Sequence, residues 1–250
     1  MRAWRAGGTH PRVKILVFQH VASEHPGSFR DVMAARGHTM HQVELDEGET
    51  IPPLDGFDIL LVMGGPMDVW ETDKHPWLLD EIAAIHEWVS AGRPYLGMCL
   101  GHQLLAVAMG GKVALMTTPE VGMAQVPLQP DPIFAGVPSL CTCFQWHGAE
   151  IKQLPPGARI LAANAGCPIQ AIAIGRHAYG LQFHMELTET TAEEWGALPE
   201  YAAALEAVKG PGALPVIQAD VAANFPALQS AAHRIFENFL TIAATLEPVP

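Results

Sequence analysis

Charge is scarce in this 250-residue sequence, and positive charge is scarcer: 16% of residues are charged, with 14 Lys+Arg against 26 Asp+Glu and a net charge of −12. So few basic residues repel phosphate backbones and anionic headgroups, which sets aside nucleic acid and membrane surfaces as partners. No segment reaches the ~20 consecutive apolar residues that a membrane helix needs. Met1 to Arg12 carries basic residues without an apolar stretch behind them, so export is not signalled. The cysteines Cys99, Cys141, Cys143 and Cys167 are too few for a disulfide scaffold at this length, and they read as the thiols of a cytoplasmic protein. Nucleotide loops are missing too: no G-x-x-x-x-G-K-[ST] occurs and no G-x-G-x-x-G opens a helix, so no cofactor is expected. Cys141 and Cys143 share a strand face, but no further Cys/His pair has zinc spacing. His38 and His41 point to opposite faces of an extended stretch, and no metal site is expected.

Apolar residues, by contrast, are plentiful. They make up 49% of a chain whose length is at the upper end of what one hydrophobic core supports, so a single folded domain with an appended element is expected. The order of elements is regular in the first half. A buried strand at Val13 to Phe18 precedes a helix at Pro26 to Arg36 that stops at Gly37, then strands near His41 to Leu45 and Phe57 to Met63. Leu78, Ile82, Ile85 and Val89 give helical spacing to Pro76–Ala91, and a strand at Tyr95 to Met98 leads into a helix from Gly101 to Met109. This alternation is that of a doubly wound α/β fold with a mostly parallel central sheet.

After Gly111 short strand candidates crowd together: Lys112 to Met116, Ala124 to Leu128, Cys141 to Trp146, Arg159 to Ala163, Ile169 to Ile174 and Tyr179 to Phe183. Several of these are expected to form a small antiparallel extension of the sheet. Thr190 with Glu193 offers a capping box, Gly210-Pro211-Gly212 breaks the helical region, and a last helix from Leu228 to Ala244 presents Ile235, Phe236, Phe239 and Leu240 as a stripe. That stripe is expected to pack on the sheet, with a homodimer or partner contact as the second reading. Trp70, Trp77, Trp88, Trp146 and Trp195 read as core or pocket walls.

The chemically informative stretch is Gly97-Met98-Cys99-Leu100-Gly101, a G-x-C-x-G sequence where a strand turns into a helix. Small residues on both sides let the backbone bend and expose the central side chain, the cysteine form of a nucleophile elbow. A thiol at a helix N-terminus feels the positive end of the dipole, and the Leu100 amide becomes a candidate oxyanion donor. The bland alternative, a buried cysteine between packing glycines, is nearly as good for these five residues alone. Downstream, His184 and Glu186 stand two apart just past an apolar strand. A histidine can take the thiol proton and return it to a leaving amine, while a carboxylate fixes its tautomer.

Taken together, these motifs resemble those of the class I, or triad, glutamine amidotransferases. Gly97 to Gln103 is similar to the G-x-C-x-G-x-Q signature, His184-Met185-Glu186 to the H-P-E box, and Met63-Gly64-Gly65-Pro66 to the glycine-rich oxyanion strand of the GMP synthetase type. The resemblance spans Val13 to Leu187. It implies that Cys99 attacks the side-chain amide of L-glutamine or another γ-glutamyl compound, that His184 is acid and base, and that Glu186 orients it. It also implies an oxyanion hole from the amides of Gly65 and Leu100, with glutamine held by Gly65, Gln103, Gly148 and Ala149. The implied organisation is a tail at 1–12, a catalytic domain at 13–187 and a helical extension at 188–250, with the ammonia acceptor on a separate synthetase chain. Two departures stand out. Met185 replaces proline, predicting a slightly looser support for the triad, and Ala149 stands where GMP synthetase-like members carry Asp. A γ-glutamyl hydrolase and a catalytically weak glutamine-binding module remain as alternatives.

Overall fold

The computed structural model describes residues 12–246, so the expected tail at 1–12 lies outside the described residues except for Arg12. Along the chain run β1 (Lys14–Gln19), α1 (Phe29–Arg36), β2 (Thr39–Glu44), β3 (Ile59–Val62), α2 (Trp77–Ser90), β4 (Tyr95–Met98), α3 (Leu100–Ala108) and β5 (Lys112–Pro127). Then follow β6 (Leu140–Gln153), β7 (Ala158–Ala162), β8 (Ala171–Ile174), β9 (Ala178–Leu181), α4 (Thr191–Gly196), α5 (Pro199–Lys209) and α6 (Leu214–Thr245).

A seven-stranded sheet has the order β2-β1-β3-β4-β9-β8-β7. Its first five strands are parallel, and β8 and β7 add antiparallel at one edge. The interior parallel strands β1, β3, β4 and β9 are near-continuous buried runs because both faces of the sheet are covered there, whereas β2 at the edge is largely exposed. Alternation in β1 shows this: Ile15 and Val17 join one core with α1, α4, α5 and α6, while Leu16 and Phe18 join the other with α2 and α3. Parallel strands also bring their carboxyl ends to one edge of the sheet, so the segments after β1, β3, β4 and β9 meet there.

Four expectations change. Lys112 to Met116 and Ala124 to Leu128 are one strand, β5, whose register slips between Leu115 and Glu120; it pairs with β6 as a separate two-stranded sheet instead of extending the central one. The last helix begins at Leu214, not Leu228, and runs through Pro226. Proline removes one backbone bond, but Ile217, Val221, Leu228 and Ala231 stay buried on both sides of it, so tertiary packing carries the helix across. The first helix begins at Phe29 instead of Pro26. The Thr190 capping box does not form: Thr190 has helical dihedrals and its hydroxyl donates to Glu194 at 2.8 Å.

The C-terminal stripe is buried within the chain, as expected on the first reading. Phe236 stacks on Phe29 with centroids 4.7 Å apart, and Phe239 meets Tyr179 edge-on at 6.4 Å. Those rings are therefore occupied by this fold and are not a surface for a second copy. Phe236→Ala is expected to cost about 3–5 kcal/mol through lost burial and a residual cavity. A lower urea midpoint at unchanged slope checks this.

Candidate active site

Cys99 links β4 directly to α3 with φ 48° and ψ −99°. Among the described residues it is the one non-glycine residue with positive φ. The flanking glycines explain how the chain accommodates it. A Cβ on Gly97 would lie 2.5 Å from the Gly101 carbonyl carbon and oxygen, and a Cβ on Gly101 would lie 2.3 Å from the Val62 oxygen. The Gly101 amide donates to Met63 O at 3.1 Å, and the Tyr95 hydroxyl donates to Gly101 O at 2.7 Å. Only side-chain-free residues allow this close approach of elbow and β3.

The loop after β3 supplies Gly64 and Gly65. His20, fully buried after β1, donates from Nδ1 to Gly64 O at 2.7 Å and from Nε2 to Glu81 of α2 at 2.9 Å. Burial opposes charge on His20, but the Glu81 carboxylate outweighs it and the imidazole pKa is raised. Gly65 packs so tightly that an added Cβ would meet Met67 Sδ at 2.7 Å, His20 Cβ at 2.9 Å and Leu100 Cδ2 at 3.0 Å. The two expected oxyanion residues, Gly65 and Leu100, are thus neighbours.

His184 and Glu186 follow β9. A two-way backbone bridge to Phe144 fixes His184, at 2.8 and 2.9 Å, and Nδ1 donates to Glu186 Oε1 at 2.6 Å. Both residues are buried. Burial works against an imidazolium at His184, yet the charges of Glu186 and Cys99 lift its pKa well above the ordinary histidine range. Burial likewise pushes the Glu186 carboxyl up, and His184 with the local amides brings it below the usual value. With Nδ1 taken by Glu186, Nε2 of His184 has no full-geometry hydrogen bond and is the ring nitrogen that faces the Cys99 thiol, whose polar interaction also helps raise the imidazole pKa.

Met185, where a slightly looser support than proline is expected, contributes a bond of its own. The Met185 amide donates to Glu186 Oε2 at 2.9 Å, a bond that proline could not make. On the other side the Ser28 amide donates to Glu186 O at 2.6 Å, and a Cβ on Gly27 would overlap that oxygen at 1.6 Å.

Gly65, Cys99, Leu100, Gln103, Gly148 and Ala149 all line one cleft of about 190 Å³. His184 and Glu186 are buried beside it. Gln103 Nε2 donates to Ala149 O at 3.2 Å and Gln182 Oε1 at 3.1 Å, and Gln182 Nε2 donates to Cys99 Sγ at 3.5 Å. Both amide hydrogens of Gln103 are therefore used within the protein, and its carbonyl oxygen is the group left for a ligand. Ala149 O also accepts from His147 Nδ1 at 3.1 Å, and His147 Nε2 meets Glu120 at 3.1 Å. Gln170 and Asn164 complete the Glu120 bonds. Their hydrogen bonds and the His147 charge offset burial and hold the Glu120 carboxyl below its usual pKa.

Sequence reasoning missed Gln182, Asp68, Glu200, Tyr201 and Glu24. Gln182 had a signal, since it continues the spacing of two that joins His184 to Glu186. Asp68, half-buried, and Glu200, exposed, line the cleft that lacks a carboxylate at position 149. Burial, helped by the Glu71 charge, raises the Asp68 carboxyl to about 6. Among the described residues no group of three or more His, Cys, Asp or Glu could hold a metal, and no helix is long and apolar enough to cross a membrane.

The sequence matches the family model of class I glutamine amidotransferases over residues 28–195. The chain belongs to that family. It is 33% identical over 182 residues to the glutamine amidotransferase-like protein YfeJ of Salmonella typhimurium, a match covering 70% of this chain and 76% of that one. To the glutamine-hydrolyzing GMP synthase of Thermomicrobium roseum it is 41% identical over 133 residues, covering 52% of this chain but 24% of that relative's length. The crystal structure of a glutamine amidotransferase from Thermotoga maritima superposes with a TM-score of 0.83 at 27% identity, covering 92% of this chain and 99% of that one. Elbow, glycine loop and His-Met-Glu segment all lie within the matched family region.

In this family member burial holds the other thiols in their neutral form. Burial raises Cys141 to about 11, Cys167 to about 12 and Cys143 well above the ordinary thiol. Reactivity follows thiolate character and access. At neutral pH, iodoacetamide is expected to modify Cys99 in the folded protein, leaving the other three until unfolding, as read by peptide mass mapping. Equal labelling of all four would contradict the separation of Cys99, which lines the cleft, from the three thiols that do not.

Proposed function

We propose that this chain hydrolyses the side-chain amide of L-glutamine through a γ-glutamyl thioester on Cys99 and supplies ammonia to an acceptor on another chain. The observation that carries this is the meeting of a strained Cys99 with an imidazole that Glu186 holds charged. Cys99 attacks the amide carbon as a thiolate, and the developing oxyanion falls to the amides of Gly65 and Leu100. His184 gives its Nε2 proton to the leaving nitrogen, so that ammonia departs and the thioester forms. The neutral imidazole then takes a proton from water, hydroxide attacks the thioester, and glutamate leaves with the cysteine restored. Glu186 stays ionised throughout and steadies the imidazolium.

Cleft size supports glutamine over longer γ-glutamyl conjugates. At about 190 Å³ it lies below the ~300–1,000 Å³ of pockets that take drug-sized ligands. Asp68 and Glu200 take over the role of an acid at position 149, offering negative charge to the substrate ammonium. The separate acceptor is supported by the relative that joins glutamine hydrolysis to GMP synthesis in a chain of which the present one matches 24%.

Cys99→Ala tests the thioester directly, because ammonia release from glutamine is expected to fall to background. Unchanged release would overturn it. The Asp68 role predicts a pH dependence. Its carboxyl ionises near about 6, so KM for glutamine rises as pH falls through that value and the negative charge is lost. Asp68→Asn is expected to raise KM at pH ~7.5 by about tenfold, the scale of one charge-assisted hydrogen bond, and to remove the acid-side rise. A KM that stays flat in both proteins would exclude Asp68 from binding.

A further inference from the structure

Tyr201 lies on α5, beyond the residues that match the family as a whole. It is nevertheless a wall of the cleft that holds Cys99, with its side chain buried. Three independent contacts fix that wall. The Tyr201 hydroxyl donates to Glu24 Oε1, a buried carboxyl on the loop after β1. Its carbonyl accepts from Trp146 Nε1 at 3.2 Å. Its ring packs 5.7 Å from Trp146 and 5.6 Å from Trp195, centroid to centroid.

The same cluster surrounds His184. Trp195 stands edge-on to the His184 ring at 4.6 Å, and the Glu24 carboxyl is within electrostatic reach of both His184 and Glu186. Glu24 is itself wedged in place: its Oε2 would lie 2.5 Å from a Cβ on Gly64, so it fills the space between Tyr201 and the glycine loop. In the proposed reaction His184 protonates the leaving nitrogen. That nitrogen must therefore lie close to the cluster in which the Tyr201 ring is locked. An unsubstituted amide nitrogen asks nothing of the anchored aromatic wall, whereas an alkyl or aryl substituent directed toward that wall would meet the Tyr201 ring that lines the same cleft as Cys99.

We infer that Tyr201, held by Glu24, is the specificity-determining residue that restricts the cleft to an unsubstituted γ-amide and excludes N-substituted γ-glutamyl amides. Because its hydroxyl is committed to Glu24, the residue acts as a shaped wall and not as a proton donor. The inference rests on the γ-glutamyl thioester reading above and names which amides enter it.

The test compares kcat/KM for glutamine with that for γ-glutamylethylamide and γ-glutamyl-p-nitroanilide, reading glutamate release throughout. The intact enzyme is expected to favour glutamine, and Tyr201→Ala to reduce that preference by at least about tenfold, the discrimination a shaped pocket gains per methylene. Much of the change is expected as a gain for the substituted amides, which a general loss of structure would not give. Tyr201→Phe, keeping the ring but losing the bond to Glu24, falls between. Tyr201→Leu reads the same ratio with a smaller void should the alanine variant not fold. An unchanged ratio in a folded Tyr201→Ala or Tyr201→Leu protein overturns the inference. Equal turnover of glutamine and the ethylamide by the unaltered enzyme overturns it while leaving the thioester chemistry intact; hydrolysis of neither overturns both.

Discussion

A cysteine at φ 48° and ψ −99° occupies backbone space that side-chain-bearing residues rarely enter, at a cost of about 1–3 kcal/mol. Such strain persists only where the surroundings over-determine it. Here the surroundings are the contact of Gly97 with Gly101, the contact of Gly101 with Val62, and the backbone bond from Cys99 N to Leu181 O at 2.8 Å. Those contacts tie the elbow to β3 on one side and to β9 on the other. The glycine loop grows from β3, and His184 and Glu186 follow β9. Fixing one residue between two parallel strands therefore fixes the relative positions of all three chemical segments.

Two buried histidine–glutamate pairs serve this arrangement in different ways. Taking a charge out of water costs several kcal/mol per ion unless it is paired and hydrogen-bonded. His20 has both ring nitrogens engaged, with Gly64 O and Glu81, so its charge is fully satisfied and its work is to hold the glycine loop. His184 is satisfied only at Nδ1, and its Nε2 faces the Cys99 thiol without a full-geometry hydrogen bond. The same pair of residue types thus gives an anchor where both nitrogens are occupied and, in the proposed chemistry, a proton carrier where one is not.

Legibility in the sequence follows how local each feature is. The interior parallel strands were readable because a sheet covered on both faces needs unbroken apolar runs, and the elbow was readable because five consecutive residues carry it. His184 and Glu186 could be singled out because two-residue spacing places them together without tertiary information. The union of the two β5 segments was not readable, since a bulge hides the pairing that joins them. Nor was the passage of α6 through Pro226, which buried neighbours on both sides sustain against local preference. Tyr201 and Glu24 carry no local mark at all; their partnership spans 177 positions and exists only once α5 has packed over the loop after β1.

The departures from the family pattern make physical sense once acidic groups are placed by environment. Replacing proline by Met185 adds an amide donor to Glu186, which favours its ionised form beside the imidazolium. Glu24 is close to the same imidazolium, yet burial pushes its carboxyl up against the pull of His184 and Tyr201. One of the two carboxyls near His184 is thereby kept as a counter-charge and the other biased toward neutrality. This avoids confining two like charges in a dry site, where their repulsion is least screened. The carboxyls at the mouth, Asp68 and Glu200, are more hydrated, and there a second negative charge can be tolerated. In the proposed reading, the acid absent at Ala149 is made up by negative charge on another wall of the cleft, away from the carboxyls around His184.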